Sequence, residues 1–152
     1  MNIAERLKQR TFRSPSQKSM LNVMVTSSWL LSEMSATMNE FGVTPAQYNV
    51  LRILRGSHPQ ALTCSEIGAR LIDRTPDVTR LLDRLEKRGL ISRDRAQRDR
   101  RIVEVHISER GLDLLRDMDP AVSTSMERLG SGLTETEHEA LSALLDRLRD
   151  TS

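Results

Sequence analysis

The stretch that decides the fold runs from Leu62 to Leu115, LTCSEIGARLIDRTPDVTRLLDRLEKRGLISRDRAQRDRRIVEVHISERGLDLL. Two short helices begin it, because Thr63 and Glu66 form a capping box and Thr75 is a capping residue that precedes a proline. Two extended segments follow, joined by a polar loop. A helix, a tight turn, a second helix and a hairpin in this order predict a winged helix-turn-helix.

The second of these helices, expected over residues 76–88, is amphipathic. Its apolar residues are Val78, Leu81, Leu82 and Leu85. Their helical spacing is typical of a face buried on a core, and a helix with a polar opposite face fits the major groove of DNA, about 12 Å wide. The candidate DNA-contacting residues of the polar face are Thr75, Asp77, Thr79, Arg80 and Arg84, with Asp83 and Lys87 on the same side. An ordinary surface helix is the alternative, but it leaves the arginine-rich segment that follows unexplained.

That segment, residues 93–101, is a polar loop between two strands. The second strand is predicted by alternation, with Val103, Val105 and Ile107 on one side. A hairpin tip can enter the minor groove, about 6 Å wide, where negative potential favours arginine. The expected wing contacts are Arg95, Arg98, Arg100 and Arg101. Asp99 would repel phosphate by itself, so we expect an ion pair in which it holds a wing arginine. A solvated loop without a ligand is the alternative.

Charge is distributed unevenly along the chain. Residues 70–101 carry eleven Lys or Arg and six Asp or Glu, a net charge of +5, against +3 for residues 1–69 and −6 for residues 102–152. A basic segment of this kind is a typical electrostatic footprint for a polyanion. We expect the acidic C-terminal part to lie away from the DNA.

The composition excludes most other classes of protein. Apolar runs never exceed three residues, so neither a membrane-spanning helix nor a secretory signal is expected. The single cysteine, Cys64, and three scattered histidines do not have disulfide or metal-site spacing. There is no nucleophile motif and no glycine-rich phosphate loop, so the sequence predicts a protein that is not an enzyme and has no cofactor or metal. The cysteine usage fits a reducing, cytoplasmic location.

Capping residues also mark the other helices of the chain. Helix starts are predicted after Ser14, Thr44, Ser108 and Thr134. Helix ends are predicted at Gly42, Gly56 and Gly89, where a left-handed residue is favoured. Besides the two helices of the helix-turn-helix, the expected helices cover about 3–10, 15–40, 45–55, 109–129 and 135–149.

The same stretch resembles the winged helix of MarR-type bacterial transcription regulators. The most specific parts are residues 78–91, the Asp99-Arg100-Arg101 of the wing, and Ser108 to Gly111 at the start of the next helix. The usual Leu-Thr of the family is Ile107-Ser108 here. The flanking helices match in length and order, so the resemblance covers nearly the whole chain.

The resemblance implies a mainly α (α+β) fold, a single MarR-type domain over residues 1–152. A winged helix-turn-helix over 44–107 is expected to bind double-stranded DNA, and helices over 1–41 and 108–152 to form a homodimer. Two such subunits would bind a palindromic operator, with repression as the expected output. A small-molecule or redox signal would alter the spacing of the two winged helices.

Apolar residues on the first long helix and on the last helix support the dimer independently. They are Met20, Met24, Trp29, Leu30, Leu31, Met34 and Met38, and Leu141, Leu144, Leu145 and Leu148. This is more apolar surface than one winged helix covers, and an exposed patch of this size marks an association surface. Packing within the chain is the alternative.

The signal that controls the regulator is not fixed by the sequence. Candidates for lining a ligand pocket are Met20, Met24, Trp29, His58 and Met118, although such residues more often form core. Cys64 is a candidate redox switch, because the first turn of a helix can lower a thiol pKa. Redox sensors of the family carry their cysteine near the first long helix, so a structural role is favoured. A winged-helix module that binds protein is the other alternative, although it needs no arginine-rich wing.

Overall fold

The computed structural model describes residues 2–73, 77–96 and 99–150. These residues form seven helices and a three-stranded sheet, which confirms the mainly α prediction. The helices are α1 (Ile3–Leu7), α2 (Pro15–Asn39), α3 (Pro45–Ser57), α4 (Cys64–Arg70), α5 (Val78–Lys87), α6 (Glu109–Gly130) and α7 (Glu135–Arg149). The strands are β1 (Leu62–Thr63), β2 (Ile91–Arg95) and β3 (Val103–Ile107). None of the described helices has the length and apolar character needed to cross a membrane.

The sheet is antiparallel, with β3 between β1 and β2. The predicted hairpin pairs Ile91 with Ile107 and Arg95 with Val103, and the buried Val105 lies on its inner face. Strand β1 adds the pair Leu62–Val105 and was not predicted, because two residues are too few to show alternation.

One hydrophobic core joins the winged helix to the long helices. Its most buried large side chains come from α3, α4, α5, β3 and α6 and include Leu51, Leu54, Ile67, Leu82, Leu85, Val105, Leu115 and Met118. Burial of each such side chain stabilises the fold by about 1.5–3 kcal/mol. The apolar face predicted for α5 is therefore buried, and its polar face is turned outward.

Most of the predicted helix boundaries are confirmed by their caps. The N-cap side chains accept a backbone N–H of the first turn in α2, α3, α4, α6 and α7, at Ser14, Thr44, Thr63, Ser108 and Thr134. Gly42 and Gly89 have φ of 70° and 69°, the left-handed conformation predicted for them. The prediction at Gly56 was wrong, because α3 continues to Ser57 and ends where His58, which precedes Pro59, turns extended.

Helix α5 begins two residues later than predicted. Its N-cap is Asp77, whose side chain accepts the backbone N–H of Arg80. The predicted cap, Thr75 with Pro76, lies outside the described residues.

Polar contacts join helix α6 to α2 and to α3. Thr37 and Ser125 share a hydrogen bond of 2.7 Å between their hydroxyl oxygens. Arg55 and Asp119 form a two-point ion pair, with N–O distances of 2.8 and 3.1 Å. These contacts hold α6 against the core that positions α5.

The apolar residues of α2 and α7 that were expected to face outward divide into a group packed against the core and a group exposed to solvent. Met38 is buried and Met34 is half-buried against the core, so the expectation that Met38 is exposed was wrong. Met24 and Leu31 are exposed, and helix α7 buries no residue at all. The apolar surface of α7 and of α2 between Val23 and Leu31 is thus left uncovered within the described part of one chain.

Candidate nucleic-acid interface

The solvent face of α5 carries the side chains that the sequence predicted there. Thr79, Arg80 and Arg84 are exposed, while Leu82 and Leu85 anchor the opposite face in the core. Ten residues make α5 about 15 Å long, which suits a groove-inserted helix.

Two hydrogen bonds join the winged helix-turn-helix to the residues around it. The side chain of Asn49 on α3 accepts the backbone N–H of Ile72, 2.9 Å away, just after α4. Arg88, the C-cap, donates from Nη1 to the carbonyl oxygen of Gly42 at 2.6 Å. The polar face of α5 is therefore presented by a fixed support.

Asp77 and Arg80 form a unit at the start of α5. One carboxylate oxygen of Asp77 accepts the backbone N–H of Arg80 at 3.2 Å, and the other lies 3.3 Å from its Nε. The Arg80 side chain is still 80% exposed. Asp77, predicted as a DNA contact, is thus placed to orient the guanidinium of Arg80. A shallow cleft of about 200 Å³ beside this pair is lined by Asp77, Arg80, Leu81 and Arg84.

The wing presents Arg95, Arg100 and Arg101 to solvent. Arg95 donates from Nη1 to the carbonyl oxygen of Arg100 at 3.0 Å, which joins the two sides of the tip. Ile102 closes the turn by donating its N–H to the carbonyl oxygen of Asp99 at 2.9 Å. Two residues predicted to contact DNA, Thr75 and Arg98, lie outside the described residues.

Asp99 contacts the wing differently from the expectation. Its Oδ1 accepts the backbone N–H of Arg101 at 2.9 Å, and the described part of the chain contains no ion pair to it. In a tight turn, a short aspartate side chain readily accepts the backbone N–H two residues later. An ion pair would require a flexible arginine side chain to be held in one place.

Arg93 makes contacts with α5 that the sequence did not predict. From β2 it donates through Nη2 to Asp83 at 2.7 Å, and through Nε and Nη2 to Glu86 at 3.0 and 2.5 Å. The hydrogen bonds to Glu86 and then to Asp83 raise the pKa of Arg93. Asp83 was placed on the DNA-contacting face by helical spacing, whereas its carboxylate is turned to the wing. The spacing of Asp83 and Glu86, three residues apart on one helix, was the available signal.

The start of α6 is tied closely to the end of α5. Ser108 donates its hydroxyl to the carbonyl oxygen of Gly89 at 2.6 Å and its N–H to that of Leu90 at 3.1 Å. A Cβ on Gly111 would lie 2.3 Å from the carbonyl oxygen of Leu90. Only glycine fits where α6 passes the carbonyl oxygen of Leu90, which explains why a glycine lies three residues after the N-cap Ser108.

The candidate sensing residues are distributed between core and surface. Met118 is completely buried, whereas Met24 is 67% exposed and His58 is exposed. Cys64 is half-buried against the core at the start of α4. The described residues contain no cluster of His, Cys, Asp or Glu suited to a metal ion.

The geometry of this winged helix agrees with comparisons to known proteins. The MarR family model matches residues 43–103. The HTH-type transcriptional regulator YkoM of Bacillus subtilis, itself uncharacterised, is 32% identical over 108 residues, which cover 71% of this chain and 69% of that protein. The chain belongs to the MarR family. Because the family consists of transcription regulators, this MarR-family protein is a regulator and not an enzyme, as predicted.

Solved structures of MarR proteins share most of this architecture. The crystal structure of a MarR transcription factor from Planctomyces limnophilus is 34% identical, with a TM-score of 0.69 over 90% of this chain and 98% of that one. A mutant MarR from Escherichia coli complexed with operator DNA is 24% identical, with a TM-score of 0.75 over 83% and 89% of the two chains. The latter likeness concerns the fold alone.

Proposed function

We propose that this MarR-family protein binds a palindromic operator as a homodimer and represses transcription by covering the promoter. The observation that carries the proposal is that exposed arginines of α5 and of the wing project from one supported unit. They are Arg80 and Arg84 on α5, and Arg95, Arg100 and Arg101 on the wing. A helix and a slim hairpin side by side match a major groove and the adjacent minor groove.

The proposed contacts follow from the chemistry of each side chain. Arg80, oriented by Asp77, binds a guanine edge, and Thr79 and Arg84 contact neighbouring bases or phosphates. Thr75, which precedes α5 in the sequence, is proposed as a further contact. The wing arginines, Arg98 included, bind in the minor groove, and Asp99 stabilises their turn.

The dimer is proposed from the uncovered apolar surface. Leu144 on α7 is 59% exposed and Leu31 on α2 is 54% exposed, which is costly for a free monomer. A two-fold pair of subunits places two copies of α5 in successive major grooves, about 34–36 Å apart. Helices from residues 1–41 and 108–152 then form the dimerisation region around winged helices from residues 44–107.

Regulation and location follow from the same proposal. A regulator of bacterial type that occupies operator DNA works in the cytoplasm. Release from the operator by a small-molecule signal fits a dimer in which the spacing of the two copies of α5 controls affinity.

Replacing Arg80 tests the base-reading role. We expect Arg80→Ala to weaken operator binding by about 30-fold or more and to relax sequence preference, because the dimer loses two contacts and each bidentate contact contributes about 1–3 kcal/mol of discrimination. Fluorescence anisotropy measures the affinity for an operator that the wild-type protein selects from random duplexes. Arg116→Ala, which removes an equal charge from α6, is the matched control.

Two outcomes contradict the assignment of Arg80. An equal loss on all sequences would make Arg80 a phosphate contact. A wild-type protein that binds no duplex at low salt would favour the alternative, a winged-helix module that binds protein.

Replacing Leu144 tests the dimer. We expect Leu144→Glu to yield monomers and to weaken operator binding by roughly 100-fold or more, because two linked half-site contacts become independent. Light scattering measures the mass, and Ala143→Glu at the exposed neighbouring position of α7 is the control. Monomeric wild-type protein at micromolar concentration contradicts the proposal.

A further inference from the structure

Arg93 lies at the base of the wing and belongs to neither set of proposed DNA contacts. Its side chain is 25% exposed, against 80% for Arg80. Three hydrogen bonds to Asp83 and Glu86 occupy its guanidinium. Two carboxylates neutralise the charge of this cation and occupy its N–H donors, so it is poorly suited to bind a phosphate. Its role therefore lies within the protein.

The contact joins the two parts of the proposed interface. Asp83 and Glu86 are three residues apart on α5, so both carboxylates lie on the side of the helix that faces β2. The backbone connects α5 to β2 through the turn at Gly89 alone, which has a φ of 69°. The side chain of Arg93 adds a second link between α5 and β2 beside this turn. Without it, the negatively charged carboxylates of Asp83 and Glu86 would both face the wing unpaired.

We propose that Arg93 is a positioning residue for DNA binding. By bridging Asp83 and Glu86, it fixes the wing at the angle to α5 at which both elements enter their grooves. The inference rests on the proposed function, since it requires that α5 and the wing contact the same DNA.

Neutralising Glu86 separates positioning from direct phosphate binding. Glu86→Gln makes each subunit more positive and frees part of the Arg93 guanidinium, so a phosphate-binding Arg93 would give tighter DNA binding. If Arg93 instead positions the wing, the same substitution should weaken DNA binding. We expect Glu86→Gln to weaken operator binding by roughly tenfold, within the range of coupling between contacting residues.

The matched control is Asp94→Asn, which removes the same charge from the exposed neighbour of Arg93 on β2. We expect it to bind the selected operator as tightly as the wild-type protein or more tightly. Circular-dichroism melting checks that each variant is folded at the assay temperature. If Glu86→Gln melts too low, Asp83→Asn, which keeps the hydrogen bonds to Glu86, replaces it.

A double-mutant cycle with a wing variant, in which Arg95, Arg98, Arg100 and Arg101 are all replaced by alanine, tests the route of the effect. Because Arg93 acts through the wing, Glu86→Gln should cost little more affinity once all the proposed wing contacts are gone. Additive losses, or a Glu86→Gln protein that binds as well as wild type, overturn the positioning role. Failure of the wild-type protein to bind DNA would instead overturn the proposed function.

Discussion

Raising the salt concentration from about 50 to about 200 mM is expected to weaken operator binding by about 10⁴-fold. Four exposed cations of the interface have side chains with neither a hydrogen bond nor an ion pair in the described part of the chain: Arg84, Lys87, Arg100 and Arg101. Two subunits bring eight such cations to one operator. Each phosphate that they neutralise releases counterions, so log K should fall with log salt at a slope of about −7.

Anisotropy titrations at four or five salt concentrations measure this slope. The Arg101→Ala dimer loses two of the eight cations, so its slope should be shallower by about 2 units. Arg116, on α6 and paired with Asp113, supplies the control, since its replacement should leave the slope unchanged. A wild-type slope shallower than about −2 would mean that these cations do not contact phosphates.

The helix starts could be predicted because capping is local chemistry. Thr44 and Thr134 each bond to residues within four positions, so the sequence contains the whole interaction. The same is true of the left-handed Gly89. Gly56 shows the limit, because the helix end was set by Pro59, beyond the glycine, rather than by the glycine itself.

The contacts between elements could not be predicted in the same way. Helical spacing gave the direction of Asp83 relative to Leu82, but not the position of the hairpin that supplies Arg93. Met38 was expected on the outer surface because the periodicity of α2 does not show which turns α3 and α6 cover. The exposed residues of a helix are thus easier to predict from its polar face than the contacts that join the helix to its neighbours.

Replacing Gly111 by alanine is expected to destabilise the fold by about 3 kcal/mol or more. The new Cβ would lie 2.3 Å from the carbonyl oxygen of Leu90 and 2.8 Å from Cγ1 of Ile107. The carbonyl cannot retreat freely, because it accepts the N–H of Ser108. Either α6 moves away from the wing or the N-cap of α6 breaks, and both disturb the support of α5.

Gly56→Ala is the matched control, because Gly56 is also helical and a Cβ added there would have no neighbouring atom within 4 Å. Here the same change should stabilise by up to about 1 kcal/mol, the ordinary helix preference for alanine. In thermal melts, the Gly111→Ala protein should therefore unfold about 6–12 °C below wild type and the Gly56→Ala protein slightly above it. Equal melting temperatures for the two variants would show that α6 does not cross the Leu90 carbonyl closely in solution, and the rigid support inferred for the wing would be lost with that contact.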